Sequence, residues 1–149
     1  MWEKILPKNV NNEYHGSRLA SMVFLLLAVV SMGRSLIHLL APDGGAATIA
    51  GIDLSQGGAA SIIFAFGLWG LSQVIYAFLQ LLVALRYKKL LPLMFIILIF
   101  ETVGRIFVGK IKPPILLHTP PGGIANYFIL PLAALMLVLS LRERKIVKK

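Results

Sequence analysis

Four apolar segments, each long enough to cross a lipid bilayer, determine what this chain can fold into. They cover residues 19–41, 59–85, 90–108 and 124–141. An α-helix rises about 1.5 Å per residue, so roughly 20 apolar residues cross the hydrocarbon core of a membrane. The pattern therefore predicts an all-α protein, with a four-helix transmembrane bundle over residues 18–144.

The composition favours a membrane protein over a soluble domain. Hydrophobic residues make up 58% of the 149-residue chain and charged residues only 14%, and the mean hydropathy is +0.83. Soluble domains contain about 45–50% apolar residues, and so few charges cannot coat a water-facing surface of this size. The first segment is too long for a secretory signal and lacks a small-residue cleavage site, so we expect it to be a retained span.

The distribution of lysine and arginine predicts the orientation of the spans. Residues 1–17, the turn at 86–89 and the tail at 145–149 carry basic residues. The connection at 42–58 has none, and the connection at 109–123 has only Lys110 and Lys112. Positively charged connections remain in the cytoplasm. We therefore predict a multi-pass protein of a bacterial cell inner membrane, with both termini and the basic tail cytoplasmic. Residues 1–17 mix apolar and charged side chains and are expected to be an interfacial anchor.

Charge and cysteine content argue against several other classes of protein. The formal charge of +9 fits contact with anionic membrane lipids, and no motif indicates nucleic-acid binding. The chain has no cysteine, which excludes disulfides and thiolate metal sites. Its histidines are not in ligand spacing, so we predict no metal and no cofactor.

The two predicted outer connections differ in character. The stretch "PDGGAATIAGIDLSQGG" is rich in small residues, and we expect a short helical turn over residues 46–50. Asp53, followed by Gln56, is predicted to cap the start of the second span. The stretch "KIKPPILLHTPPGG" contains four prolines, which fix φ and remove amide donors. It is therefore predicted to be an extended cap across the outer mouth of the bundle.

Polar residues inside the spans are costly in a bilayer and therefore mark candidate sites. Arg34 and His38 in the first span share a helix face, because residues four apart are neighbours on a helix. Glu101 and Arg105, in "IFETVGRIF" of the third span, have the same spacing. On the second span, an arc of about 120° contains Gly58, Ser61, Ala65, Trp69, Ser72, Gln73, Tyr76 and Gln80.

We expect these polar groups to meet in the outer half of the bundle. Glu101 and Arg105 are predicted to neutralise each other, which leaves Arg34 as a surplus cation. A buried cation requires an anionic partner: a lipid head group, a ligand carboxylate or an acidic residue of another subunit. Alternatively, Arg34 extends to the outer head groups. The candidate binding residues are Arg34, His38, Trp69, Gln73, Tyr76, Glu101, Arg105, Asn126 and Tyr127.

Three motifs together suggest a family. The stretches "GRSLIHLLAP", "AGIDLSQGGAAS" and "ETVGRIF", in this order, resemble a group of small bacterial four-span membrane proteins that is similar in layout to the DoxX-like proteins. The resemblance covers residues 18–144. It implies a four-helix bundle, and DoxX-like proteins take their name from a subunit associated with a quinol-oxidising membrane system. It does not identify any catalytic residue in this chain.

Four functions fit these features. The first is an accessory or structural subunit of a larger membrane complex, or a homo-oligomer. The second is a binding module for a lipid-like or quinone-like molecule, with Arg34 and Arg105 holding its polar head. The third is an intramembrane enzyme using Glu101 as acid or base, although no hydrolase or phosphate-binding signature is present. The fourth, a proton carrier, lacks a visible internal repeat.

Overall fold

The structure, a computed structural model, describes residues 2–142 apart from the side chain of Gln56. In this part of the chain 73% of the residues are helical and no strand occurs. Four helices are long and apolar enough to cross a membrane, which confirms the predicted all-α four-helix fold of a multi-pass membrane protein. The predicted basic tail at 145–149 lies outside the described residues. The helices are α1 (Trp2–Ile5), α2 (Arg18–Leu40), α3 (Ala59–Arg86), α4 (Leu91–Ile111) and α5 (Pro121–Leu141).

Helix ends at the proline-rich connection differ from the sequence prediction. Helix α4 continues to Ile111, and α5 already begins at Pro121, so each is three residues longer there than predicted. Proline fits the first turn of a helix because the N–H that it lacks would have no partner at that position. The non-helical cap is therefore shorter than expected and covers residues 112–120.

The four long helices form two antiparallel hairpins. Helices α2 and α3 pack closely on each other, as do α4 and α5, and α2 also contacts α5. The connections 41–58 and 112–120 lie at one end of the bundle, which we call the loop end. The turn at 87–90 and the entry to α2 lie at the opposite end, which we call the terminal end. The space between the two hairpins is therefore bounded by all four helices.

Aromatic packing closes the bundle near its terminal end. The rings of Phe24 and Phe95 meet edge-on with their centroids 5.2 Å apart, and both side chains are buried together with small residues such as Ala20 and Ala84. Edge-to-face pairs of this kind add stabilisation beyond the area that they bury. The two hairpins are thus joined by a packed layer below the polar residues.

The first hairpin depends on one glycine. A Cβ atom at Gly70 would lie 2.6 Å from the backbone carbon of His38 and 2.6 Å from the amide nitrogen of Leu39. Only a residue without a side chain allows two helix backbones to approach this closely. Gly70 therefore sets the distance between α2 and α3 near the loop end.

The N-terminal segment packs across the terminal end. The amide of Ser17 donates to the carbonyl of Leu139 over 3.2 Å, and Lys4 Nζ donates to the carbonyl of Leu141 over 3.3 Å. The Tyr14 hydroxyl is buried and has no hydrogen-bond partner among the described residues. Burial raises the pKa of Tyr14 to about 12, because the charged phenolate loses its hydration.

The connection between α2 and α3 contains the predicted turn but not the predicted cap. Residues 46–50 form successive turns, and the amides of Ile49 and Gly51 donate to the carbonyls of Gly45 and Ala47 over 3.2 and 3.1 Å, which is the spacing of a helical turn. Asp53 does not cap α3: its carboxylate accepts from the amide of Ser55 at the start of the 3₁₀ turn Leu54–Gln56. The residue before α3 is Gly58, which has a left-handed backbone. The glycine pair separates the two helical elements, since glycine adopts this conformation without steric cost.

Candidate functional site

A cavity of about 440 Å³ lies between the two hairpins and extends to the loop end. Small-molecule pockets commonly have volumes of about 300–1,000 Å³. Its walls are mostly aliphatic and aromatic, and each helix contributes between one and three polar side chains to its lining. The lining residues with ionisable, amide or hydroxyl groups are Ser31, Arg34, His38, Gln80, Glu101, Arg105 and Asn126.

The arginine of α2 is held between α3 and the cavity. Arg34 Nη2 donates a hydrogen bond to Oε1 of Gln73 over 3.1 Å. The guanidinium carbon also lies 5.5 Å from the ring centre of Trp69, within the range of a cation–π contact. Both partners are neutral. Arg34 therefore keeps an uncompensated positive charge at the cavity wall.

The histidine of α2 is fixed by the connection that follows it. His38 is 3% exposed, and its Nδ1 lies 2.8 Å from the carbonyl oxygen of Gly44. A carbonyl only accepts, so this contact assigns the proton to Nδ1 and leaves Nε2 as an acceptor in the neutral ring. The imidazole also lies against Trp69, with the ring centres 4.7 Å apart. His38 thus connects the cavity wall to the first connection.

The ion pair of α4 supplies the other charges. Arg105 Nη1 and Glu101 Oε1 are 3.3 Å apart, and Arg105 Nη2 donates weakly to Oγ1 of Thr102 over 3.5 Å. The Nε–H of Arg105 is buried and has no partner in the described part of the chain. The pair confirms the predicted contact along one helix edge, yet Arg105 retains unused donor capacity.

Helix geometry places these groups in layers. Measured along each helix from the terminal end at about 1.5 Å per residue, Arg34, Gln73 and Arg105 lie about 20–24 Å from that end. Asn126 of α5 falls in the same layer, which we call the arginine layer. Glu101 lies about one turn below it. Gln80 lies about 10 Å below Gln73 and forms the floor of the cavity.

The charge of the cavity is therefore unbalanced. Among its described lining residues, Arg34 and Arg105 contribute two positive charges and Glu101 contributes one negative charge, with His38 left out of the count. The difference, two minus one, is one positive charge. A cation removed from water is costly unless an anion or several acceptors face it.

The two loop-end connections pair to roof the cavity. Ile52 and Leu116 form an isolated antiparallel bridge, and the amide of Leu117 donates to the carbonyl of Gly51 over 2.7 Å. Gly51 has φ +67, and a Cβ there would lie 2.6 Å from the carbonyl oxygen of His118, so glycine is required for this approach. The predicted cap across the mouth is present, but it contains both connections.

Asp43 organises the roof, and the sequence analysis did not identify it. Its carboxylate accepts from the amides of Gly45, Ala47 and Thr48 and from the Thr48 hydroxyl, over 2.8–3.1 Å. These hydrogen bonds, with the amide of Thr48 first, lower the pKa of Asp43 to about 2, because they stabilise the charged form. The aspartate directly after the helix-ending proline was the available sequence signal, since aspartate commonly binds amides a few residues ahead of it.

The structure brings together most of the predicted candidates. Arg34, His38, Trp69, Glu101, Arg105 and Asn126 line the cavity, and Gln73 reaches it through Arg34. Tyr76 is not among the lining residues. It lies on the same face of α3 as Gln80, and its buried hydroxyl lies beside the Gln80 amide. Tyr127 is 70% exposed and is not among the lining residues, because it lies one position beyond Asn126 and faces outward. That any of them binds a ligand stays a prediction.

The arc predicted on the second span is only partly interior. Gln80 is buried, and Trp69, Gln73 and Tyr76 are half-buried, but Ser61, Ala65 and Ser72 are exposed. Gly70, where the backbones of α2 and α3 approach closely, lies outside the predicted set. Sequence analysis placed Gln80 on the arc but did not select it as a site residue.

Comparison with models of protein families, with curated proteins and with solved structures finds no match to this chain. The resemblance to DoxX-like proteins therefore stays a prediction. In the part of the chain that the structure describes, no three His, Cys, Asp or Glu residues are grouped as ligands for a metal ion.

Proposed function

We propose that this membrane protein binds an amphipathic small molecule with an anionic head group in the cavity between its helices. The observation that carries this proposal is the surplus positive charge of Arg34 and Arg105 on an otherwise apolar cavity. A single negative charge at the arginine layer would balance the site. The apolar walls above and below would contact the rest of the molecule.

The donors of the arginine layer suit a carboxylate or a similar compact anion. Arg34 still has donors that its bond to Gln73 does not use, and the Nε–H of Arg105 has no partner among the described residues. Arginine is the side chain that best binds planar anions through several N–H groups. Asn126 lies in the same layer and adds an amide donor.

The volume of the cavity supports a single-chain ligand. At about 30 Å³ per non-hydrogen atom, the share of a water molecule in the liquid, 440 Å³ accommodates on the order of 15 atoms. A two-chain phospholipid is several times larger than this. Because the cavity opens at the loop end, this volume limits only the part of a ligand that lies between the helices. We therefore propose a single-chain amphiphile or a compact ring compound as the occupant.

This proposal takes precedence over the two other main hypotheses. Glu101 is already paired with Arg105, which gives the carboxylate a charge-balancing role in preference to proton transfer. Membership in a larger complex explains the small size of the protein but not a polar cavity inside its own bundle. We further propose that the loop end faces the outside of a bacterial inner membrane, as the basic residues at the terminal end favour.

Native mass spectrometry after gentle extraction from the host membrane tests the proposal. We expect a bound organic anion on the wild-type protein and its loss from Arg34→Gln, which removes the surplus charge without unpairing Glu101. Arg34→Lys should retain part of the binding. The matched control is Arg18→Gln, which removes one exposed positive charge from the same helix, far from the cavity, and should keep the ligand. Equal ligand content in Arg34→Gln and Arg18→Gln would contradict the proposal, and stable association with large subunits would favour the accessory role.

A further inference from the structure

One ring nitrogen of His38 is open to the cavity and is not used by the proposed head-group site. Nδ1 binds the carbonyl of Gly44 over 2.8 Å, and a Cβ atom at Gly45 would lie 2.9 Å from the same nitrogen. This edge of the ring therefore faces the connection between α2 and α3. Nε2 has no hydrogen-bond partner among the described residues, yet it is not wholly buried. Because His38 lines the cavity, we assign its small exposed part, which includes Nε2, to the cavity wall.

The imidazole of His38 is a neighbour of the Arg34 guanidinium. The two residues are four apart on α2 and so lie on one face, about 6 Å apart along the helix. Both side chains also lie against Trp69. The ring centres of His38 and Trp69 are 4.7 Å apart, and the guanidinium carbon of Arg34 lies 5.5 Å from the centre of the indole. An anionic head group at Arg34 is therefore within reach of Nε2.

An anionic oxygen can bind Nε2 only if a proton lies between the two atoms. In the neutral ring with its proton on Nδ1, Nε2 is an acceptor, and two facing acceptors repel each other. In the protonated ring both nitrogens donate. Nδ1 then keeps its bond to the Gly44 carbonyl, and Nε2–H becomes a charge-assisted donor to the head group. Protonation thus adds a contact with the ligand without breaking the one that fixes the ring.

The charged groups on the neighbouring helices do not supply a partner for this proton. Arg34 on α2 and Arg105 on α4 are cations. Glu101 of α4 is already paired with Arg105 over 3.3 Å, and it lies about 15 Å deeper along the bundle than His38. Helices α3 and α5 contribute only uncharged side chains to the described lining of the cavity.

The titratable groups of the two connections do not supply a partner either. Asp43 lies next to Gly44, whose carbonyl binds the other ring nitrogen, and its carboxylate already accepts four hydrogen bonds from its own connection. His118 is exposed and is not among the lining residues of the cavity. An acceptor for Nε2–H must therefore come from a ligand.

We propose that His38 binds the anionic head group through Nε2–H, so that binding of the ligand takes up a proton. This inference rests on the proposed function and adds a third binding side chain to Arg34 and Arg105. The affinity for an anion then increases as the pH falls through the range in which histidine changes charge. The site loads its ligand in acid and releases it as the pH rises.

Binding of an amphiphile with a permanent negative charge tests the inference. The protein is placed in nanodiscs of phosphatidylcholine, and its affinity for decanesulfonate is measured by calorimetry at about pH 8.5 and about pH 5.5, on either side of the usual histidine range. A sulfonate stays anionic at both values, whereas a fatty acid does not. We expect about tenfold tighter binding at the lower pH, the effect of one hydrogen bond that involves a charged group. Titrations in buffers of different ionisation enthalpy should show uptake of up to one proton per ligand.

Two variants and a neutral compound supply the controls. His38→Asn keeps an amide donor for the Gly44 carbonyl and removes Nε2, so its affinity for decanesulfonate should be equal at the two pH values. The matched control His118→Gln removes an exposed histidine and should keep the full pH dependence. Decanol has the same chain without the charge, and its binding to the wild-type protein should not depend on pH. If His38→Asn does not fold, His38→Gln takes its place.

The outcomes separate this inference from the proposed function. If decanesulfonate binds in an Arg34-dependent way but equally well at both pH values, the inference is wrong and the proposed function stands. A pH dependence that persists without His38, that is lost in His118→Gln or that decanol shares would also overturn the inference. If decanesulfonate binds at neither pH, or if Arg34→Gln leaves its affinity unchanged, the proposed function itself fails.

Discussion

Arg105 Nη1 lies 3.3 Å from Oε1 of Glu101, one turn away on the same helix. The pair therefore connects no two helices, and its role is to lower the cost of placing two charges in an apolar bundle. The side chains of Arg105 and Glu101 are 27% and 24% exposed, so both charges are largely buried. Arg34 differs from Arg105 because its hydrogen-bonding and ring partners are all neutral.

The first prediction concerns this pair. Glu101→Gln or Arg105→Gln alone should lower the free energy of unfolding by about 1–3 kcal/mol, because each leaves one charge without its partner. The double variant should be less destabilised than the sum of the two singles, with a coupling energy of about 1 kcal/mol. Thermal unfolding in detergent measures all four proteins. Strictly additive losses would show that the two side chains do not interact.

The second prediction concerns the close approach of α2 and α3. Gly70→Ala should destabilise the protein by about 1–3 kcal/mol, since its Cβ would meet the backbone of His38 at 2.6 Å and neither backbone can move easily. Gly67→Ala is the matched control, because it lies on the same helix with no atom within 4 Å of its Cβ. That variant should be neutral or more stable by up to about 1 kcal/mol, from helix propensity. Similar melting temperatures for the two variants would disprove the close contact.

The sequence predicted the four spans because bilayer thickness sets both the length and the composition of a spanning helix. It also predicted the Glu101–Arg105 contact, since a spacing of four residues within one helix leaves little freedom. Contacts between different helices were harder to predict from the sequence. The bond from Arg34 to Gln73 and the position of Gly70 depend on how the helices rotate about their axes. A single sequence constrains that rotation only through the polar arc, which lies partly outside the interface.

The roof of the cavity was the least predictable part. Asp43, Gly51 and the bridge from Ile52 to Leu116 connect residues that are far apart along the chain, and no periodic pattern reports such contacts. The prolines of the second connection, including Pro121, led to the prediction of an extended segment. Pro121 instead occupies the first turn of α5, where proline is tolerated. Tyr127 was predicted as a binding residue together with Asn126, yet adjacent helical residues point about 100° apart.

The third prediction follows from Asp43. Its pKa of about 2 lies below the usual value of 3.8 for an aspartate, so its contribution to stability is present above about pH 4 and is lost as the pH falls toward 2. Asp43→Ala should remove this dependence and speed amide hydrogen exchange at residues 45–48, whose N–H groups lose their acceptor. Hydrogen exchange read by mass spectrometry at neutral pH checks the second effect. Unchanged protection at residues 45–48 would show that the carboxylate does not organise the roof.

The fourth prediction concerns Tyr14. Its pKa of about 12 lies above the usual value of 10.0 for a tyrosine. The folded state therefore resists ionisation, and stability should fall as the pH rises from about 10 to 12. Tyr14→Phe removes a buried hydroxyl that has no partner among the described residues, and it should be neutral or stabilising by up to about 1 kcal/mol. It should also reduce the loss of stability at high pH. Tyr127→Phe, at a 70% exposed residue, should change neither the stability nor its dependence on high pH. A destabilised Tyr14→Phe would show that the Tyr14 hydroxyl forms a hydrogen bond.

The fifth prediction tests the roof by covalent linkage. Ile52 and Leu116 face each other in an antiparallel bridge, where opposite Cβ atoms are about 4.5–5.5 Å apart, close to what a disulfide needs. Because the chain has no cysteine, the pair Ile52→Cys and Leu116→Cys has no competing thiol. Mild oxidation should close an intramolecular disulfide, visible as the loss of two hydrogens in the intact mass.

The linkage should also affect the cavity, because both connections contribute to its mouth. With the disulfide closed, exchange of a bound amphiphile should slow, and reduction should restore the original rate. The control pair is Ile52→Cys with Ile115→Cys, since adjacent residues of an extended segment point to opposite sides; it should link far less readily. Efficient linkage in both pairs would mean that the two connections move freely past each other. Linkage of the first pair without any change in exchange would mean that the ligand enters from the side, between the helices, and not through the roof.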